Sequence, residues 1–209
     1  MEKDFWLSRW KENNIPFHEA ETNPLLLKYF KELSLAKDSR IFIPLCGKTL
    51  DITWLLSNGY RIAGAELVEM AVQQLFQELA VEPEISKVDK LTLYSAKGID
   101  IFVGDIFDLS KETLGPVDAV YDRAALVALP RETRVRYSAH LAKITNQAPQ
   151  LLITFEYDQS KMAGPPFSIS AEEVSQHYKD TFNLVNLLSR EMAGGLKGQA
   201  AKENVWKLY

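Results

Sequence analysis

The sequence predicts an α/β fold: a mainly parallel sheet covered by helices on both faces. Two observations carry this. Short apolar runs alternate with amphipathic stretches of helical length from residue 40 to residue 156, the pattern of repeated strand–helix–strand units. In addition, Arg40 to Glu66, RIFIPLCGKTLDITWLLSNGYRIAGAE, contains a strand, a tight turn with one glycine, a helix and a second strand ending in an acid. A parallel pair built this way makes a nucleoside pocket in open α/β sheets, its terminal carboxylate accepting ribose hydroxyls.

The elements follow in order. Residues 4–13 place Phe5, Trp6 and Trp10 at helical spacing, and Asn23 caps a second helix over Pro24 to Leu33 with proline in its first turn. The link Asn14 to His18 is short and aromatic, and it reads as a loop folded onto the rest. Strand 40–44, helix 48–58 ending at Asn58-Gly59, strand 61–66 and a helix near 69–79 come next. Segments 91–95 and 99–103 flank Ala96-Lys97-Gly98 as a hairpin whose second strand continues the sheet. Strand 117–121, helix 131–144 behind Pro130 and strand 150–156 extend the alternation. Ser170 to Glu173 reads as a capping box opening helix 171–179. Two late strands, 182–187 and 203–208, lack a crossover helix between them and predict an antiparallel hairpin at the sheet edge.

The chain of 209 residues shows no composition shift or linker, so one domain is expected. Lys plus Arg number 24 against 28 acids, a net charge of -4 with no basic stripe, which disfavours a nucleic-acid partner. No window approaches the length of a membrane span and the first residues lack an apolar leader core, so no membrane partner and a cytoplasmic location are expected. One cysteine excludes an internal disulfide, and three scattered histidines predict no metal site.

Ligands of such sheets sit beyond the carboxyl ends of the strands. Those ends carry Leu45 to Gly47, Glu66, Gly104 to Ile106, Asp122-Arg123 and Glu156 to Asp158, four of the five sets acidic. Gly47 and Glu66 lie 19 positions apart, close to the roughly 20 between a nucleotide-binding turn and its ribose acid. The turn nevertheless has one glycine, which argues against a pyrophosphate and leaves a nicotinamide enzyme a poor fit. Glu66 reads as a ribose contact or a capping acid, and Asp105 as an adenine contact or a cap. Asp122 and Arg123 form an ion pair, or Arg123 points into the pocket. Cys46, without a nearby base, reads as buried and inert. His18 is a weak acid/base candidate, and Lys48 solvates a helix start. Trp6 and Trp10 bury a helix face or stack on a flat ligand.

With those residues in place, the chain resembles the thiopurine S-methyltransferases of the compact bacterial kind. The resemblance is carried by FWLSRWKENNIPFH, FIPLCGKTLD, GAEL, GDIFDL, YDRAALVALP and AGPPFS, in order over nearly the whole chain. It implies a Rossmann-like class I methyltransferase with a seven-stranded sheet, residues 1–35 covering the site, S-adenosylmethionine as cofactor and S-adenosylhomocysteine as product. It implies cofactor contacts from Trp10, Leu45, Gly47, Glu66, Leu67 and Arg123, with Asp105 and Ile106 beside the adenine. It places Phe17, His18, Pro166 and Phe167 at the acceptor, a small thiol or thiopurine, and it implies a monomer. Arg123, fixed by Asp122, is the catalytic candidate. Methylation of selenium or tellurium belongs to the same expectation. Transfer to nitrogen or oxygen, with His18 or the Glu156/Asp158 pair as base, and cofactor binding without turnover are the alternatives.

Overall fold

The computed structural model describes residues 3–209; Met1 and Glu2, at the head of the expected cover segment 1–35, lie outside them. Among the described residues the strands are β1 (Arg40–Pro44), β2 (Arg61–Glu66), β3 (Glu84–Val88), β4 (Leu91–Ala96), β5 (Ile99–Val103), β6 (Ala119–Asp122), β7 (Gln150–Tyr157), β8 (Leu184–Glu191) and β9 (Ala201–Leu208). They form one nine-stranded sheet in the order β3-β4-β5-β2-β1-β6-β7-β9-β8. The central strands β5-β2-β1-β6-β7 are parallel, and both flanks are antiparallel.

The expected seven-stranded sheet is the stretch from β5 to β8, and β3 and β4 extend it beyond β5. The count is thus corrected from seven to nine. β3 escapes the sequence pattern because it is an edge strand whose first four residues are exposed, so it has no apolar face to announce it. β8 starts at Leu184 rather than 182, because the Phe182 amide still bonds back to the Tyr178 carbonyl at 2.8 Å and closes the preceding helix.

The helices are α1 (Lys3–Lys11), α2 (Pro24–Tyr29), α3 (Leu50–Ser57), α4 (Glu69–Glu78), α5 (Lys111–Leu114), α6 (Arg131–Ile144) and α7 (Ala171–Tyr178). Asn23 caps α2 through the Leu25 amide at 2.9 Å. α3 begins two residues later than its sequence reading, because Thr49 stands outside it as the N-cap. Ser170 caps α7 by accepting from the Glu173 amide at 3.2 Å. The reciprocal half of the capping box is not made, since the Glu173 carboxylate turns to Arg134 at 2.7 Å and His177 at 3.1 Å.

Both faces of the parallel core are covered. Phe42, Val120 and Leu152 pack under residues of α5 to α7, while Ile41, Ile43, Leu151 and Ile153 pack under α2 to α4. Consecutive strand residues are therefore buried on opposite sides, which is why these strands read as continuous apolar runs. A smaller cluster seats Trp10 of α1 on Leu67, Val68 and Ala71 at the start of α4. This docks the N-terminal segment over the strand ends. The strand order reverses at β1, which has β2 on one side and β6 on the other, and such a switch point opens a crevice at the carboxyl ends.

Candidate active site

A cavity of about 300 Å³ occupies that crevice. Its floor comes from Leu45 and Gly47 after β1, Glu66 and Leu67 at the end of β2, and Tyr121 and Arg123 at the end of β6. Trp6, Arg9 and Trp10 of α1 with Pro16 to Glu19 of the following loop form its roof, and Pro165, Pro166, Leu196 and Lys197 form a side wall.

The turn after β1 is bent by left-handed backbone at Leu45 (φ 48°) and Gly47 (φ 53°). At Gly47 the bend coincides with close packing: a Cβ there would stand 3.1 Å from Trp10 Cζ2. The single glycine thus serves the roof helix as well as the turn. Gly47→Ala is expected to cost about 1–2 kcal/mol from the left-handed conformation alone, measured by chemical denaturation, and to displace the Trp10 indole, read as a change in tryptophan emission. An unchanged denaturation midpoint and spectrum would show that the turn relaxes freely.

Glu66 is buried, 7% exposed. Its two carboxylate oxygens accept the Gly47 amide at 2.8 Å and the Val68 amide at 2.9 Å. The 19-residue spacing of the sequence is here a direct hydrogen bond. Burial pushes the Glu66 carboxyl up, and the Val68 and Gly47 amides pull it back. An ionised carboxylate offers about four acceptor positions, so two remain for a pair of hydroxyls. That donor-poor, acceptor-rich end matches a ribose cis-diol, and the turn needs no phosphate cradle. The residues present fit a nucleoside sulfonium such as S-adenosylmethionine.

Arg123 lines the cavity and pairs with Glu19 of the roof loop at 2.5 Å. Asp122 does not fix it, and this corrects the sequence reading. Asp122 is wholly buried and accepts from the Leu126 amide at 3.0 Å and the Tyr137 hydroxyl at 2.8 Å. Burial raises its pKa from 3.8 to about 6, against the Leu126 and Tyr137 hydrogen bonds. Neighbouring residues at a strand end face opposite sides. Asp122 therefore meets the α6 layer while Tyr121 meets Asp51 across the other, at 3.0 Å.

Of the remaining predicted residues, Trp10, Leu67, Phe17, His18 and Pro166 line the cavity. Asp105, Ile106 and Phe167 are not among its lining residues. The Asp105 carboxylate is taken by the Phe107 amide at 3.0 Å, capping a 3-10 turn. Ile106 is buried in the core, its carbonyl paired with His140 at 2.8 Å. Phe167 lies beneath the Arg134 guanidinium, 5.6 Å from ring centroid to Cζ. Burial and then the Lys48 cation push His18 down, leaving it neutral at pH 7. Burial and the nearby Glu66 charge push the Cys46 thiol well up, so it is inert at neutral pH. Lys48 forms an ion pair with Glu78 at 2.6 Å.

Sequence reasoning missed Glu19, Asp51 and Tyr121. Asp51 is buried in the first turn of α3 and accepts from the Asn23 amide at 2.8 Å as well as from Tyr121. It ties the roof segment to the sheet. Its one sequence signal is an acid in the first turn of a helix, which says nothing of partners so far away in the chain. Among the described residues no cluster of side chains could hold a metal ion, and no helix is long and apolar enough to cross a membrane.

Solved structures share this fold. A Burkholderia thailandensis 1,6-didemethyltoxoflavin-N1-methyltransferase with bound S-adenosylhomocysteine superposes with a TM-score of 0.67 at 14% identity, over 99% of this chain and 86% of that one. A SAM-dependent methyltransferase from Anabaena variabilis gives 0.65 at 15% identity, over 99% and 95%. The fold is thus that of the Rossmann-like class I methyltransferases. The sequence places it more narrowly. A thiopurine S-methyltransferase of Xanthobacter autotrophicus is 53% identical over 100% of this chain and 99% of its own length. That of Teredinibacter turnerae is 51% identical over 100% and 97%. The sequence profile described as Thiopurine S-methyltransferase (TPMT) matches residues 1–206, a span that includes every residue lining the cavity, and this chain belongs to that family.

Proposed function

We propose that this protein transfers the methyl group of S-adenosylmethionine to the sulfur of a small aromatic or heterocyclic thiol, thiopurines included, releasing S-adenosylhomocysteine. The observation that carries the reading is Glu66, a buried carboxylate with two free acceptor positions at the switch point of a methyltransferase fold, beneath an aromatic roof. Bound S-adenosylmethionine supplies an electrophilic methyl group on a sulfonium. Leu45, Gly47, Glu66 and Leu67 hold that molecule along the ends of β1 and β2, with Trp10 over it. Trp6, Phe17 and Pro166 provide an apolar slot for a flat acceptor.

The chain's main contribution is alignment of sulfur, methyl and sulfur for in-line displacement. A thiolate meeting a cation loses charge toward the transition state, so the dry aromatic slot assists by excluding water. No strong base is required, since such thiols ionise near neutral pH. The cavity agrees with this: neutral His18 lines it, whereas Glu156 and Asp158 do not, and Asp158 caps a 3-10 turn through the Ser160 amide at 3.1 Å. This removes one of the two bases that transfer to nitrogen or oxygen would use. Selenium and tellurium compounds, also soft nucleophiles, fall within the same reading, as does a monomer in the cytoplasm.

Arg123 orients the thiolate, with Glu19 holding the guanidinium. Arg123→Ala is expected to lower kcat/KM at least about tenfold, with Arg123→Lys between it and wild type, in turnover measured across pH. Wild-type turnover in both variants would remove Arg123 from the mechanism. The reading as a whole is tested by incubating the protein with methyl-labelled S-adenosylmethionine and 6-mercaptopurine. Release of S-adenosylhomocysteine with a gain of one methyl on the purine sulfur supports it. Tight cofactor binding without release, over a panel of thiols and with selenite and tellurite, would make the protein a sensor instead.

A further inference from the structure

The charges around the cavity are not all paired with one another. Each of its acids already has partners within the protein: Glu66 the Gly47 and Val68 amides, Asp51 Asn23 and Tyr121, Glu19 Arg123, and Glu203 Arg190 at 2.7 Å. Of its cations, Arg123 and Lys48 are paired with carboxylates. Arg9 and Lys197 have no carboxylate partner among the described residues. Arg9 donates to the Asn14 side-chain oxygen at 3.1 Å and lies 5.0 Å over the Phe5 ring. Lys197 donates to the Pro165 carbonyl at 2.9 Å.

Both cations line the cavity, one from the roof helix and one from the side wall, where Lys197 is bonded to Pro165. In the space they share, Arg9 is, after burial, the next cause holding the Lys197 ammonium below its usual range. Lys197 is also held there by the backbone. It occupies a left-handed position (φ 50°) followed by Gly198 (φ 79°), the two central residues of a primed hairpin turn, closed by reciprocal Leu196 and Gln199 backbone bonds at 2.8 and 3.0 Å. A residue with a side chain kept in that conformation costs free energy. Two like charges brought together at the mouth of an apolar slot add to that cost unless an anion comes between them.

We propose that Arg9 and Lys197 form an anion subsite on the acceptor side of the cavity, selecting aromatic thiols that carry a second anionic group, a carboxylate or sulfonate, at the end of the ring remote from sulfur. This rests on the thiol-methylating reading and narrows its substrate class. The apolar slot receives the ring, and the two cations receive the charge at its outer end. The thiolate itself stays with Arg123.

The test compares 4-mercaptobenzoate with its neutral isostere 4-mercaptobenzamide. Each is titrated calorimetrically into protein loaded with S-adenosylhomocysteine, which reads binding without methyl transfer, and each is then assayed for turnover with S-adenosylmethionine. The acid is expected to bind at least about tenfold more tightly than the amide, a preference that shrinks with added salt. It is expected to fall toward unity in Arg9→Gln and in Lys197→Gln, and to persist in Lys197→Arg, which keeps the charge. Equal affinity of acid and amide for the wild-type protein overturns the subsite, as does a preference untouched by both Gln variants. A charge-dependent binding preference with neither thiol turned over leaves the subsite standing and overturns the methyl-transfer reading instead.

Discussion

Glu66→Gln is expected to weaken binding of both S-adenosylmethionine and S-adenosylhomocysteine by at least about a hundredfold. Two hydroxyl bonds to an ionised group, at about 1.5 kcal/mol each, amount to about 3 kcal/mol, which is that factor. The substitution also acts on the fold. The glutamine oxygen can accept only one of the Gly47 and Val68 amides, and its amide nitrogen would then face the other donor. One buried N–H left unpaired costs about 1–3 kcal/mol. Calorimetric titration reads the affinity, and a denaturation curve on the same sample separates lost binding from lost structure. A cooperatively folded variant with wild-type affinity would remove Glu66 from the ribose pocket.

Asp122 should make stability depend on pH, in a direction opposite to that of a salt-bridged acid. Its pKa is about 6 in the folded protein against 3.8 for the free side chain. Below about pH 4 both states are protonated and burial costs nothing extra. Between about 4 and 6 the folded state keeps a proton that the unfolded state has lost, so stability falls as pH rises, by up to about 3 kcal/mol, and stays lowered above 6. Asp122→Asn lacks the titration, so its stability relative to wild type is expected to climb by that amount between about pH 4 and pH 7. Asp122→Ala is expected to share the flat profile but to be less stable than Asp122→Asn throughout, because the Leu126 amide and the Tyr137 hydroxyl lose their acceptor at about 1–3 kcal/mol each. Denaturation midpoints across pH check both. Parallel wild-type and Asn profiles would mean that Asp122 is not the group whose burial is felt.

The role of this costly acid is visible in what it holds. Its hydrogen bonds fix the turn in which Ala124 takes a left-handed conformation (φ 60°), and that turn carries Arg123 to the cavity. Strained backbone at Leu45 after β1 and Ala124 after β6 lies at the ends of two adjacent strands of the switch point. This is where a fold places side chains against a ligand at the expense of local comfort.

Much of this was legible in the sequence. The strands β1, β2, β5, β6 and β7 announce themselves because both faces are buried, and α2 and α7 because Asn23 and Ser170 cap them locally. From the aromatic front segment, Trp10 and Phe17 both line the cavity. Glu66 stands out because a spacing of 19 residues is the length of one strand–helix–strand return, and the return dictates that its ends meet. Edge strand β3 was silent, having no buried face, and Asp105 was ambiguous because a capping acid and a ligand acid look alike in one dimension.

What the sequence determined by itself, then, was the order of elements, the acid at the switch point and the family. Each depends on local periodicity, on short-range capping or on motif spacing within one covalent stretch. Only the tertiary structure decided the partners: Arg123 with Glu19 rather than Asp122, and Asp51 with Tyr121 and Asn23. Asp122 and Arg123 are adjacent in the chain, yet Asp122 at the end of β6 faces the helical layer, and the turn that follows carries Arg123 to the crevice. Proximity in space is set by how the sheet twists and stacks its layers, and no pattern confined to neighbouring residues contains it.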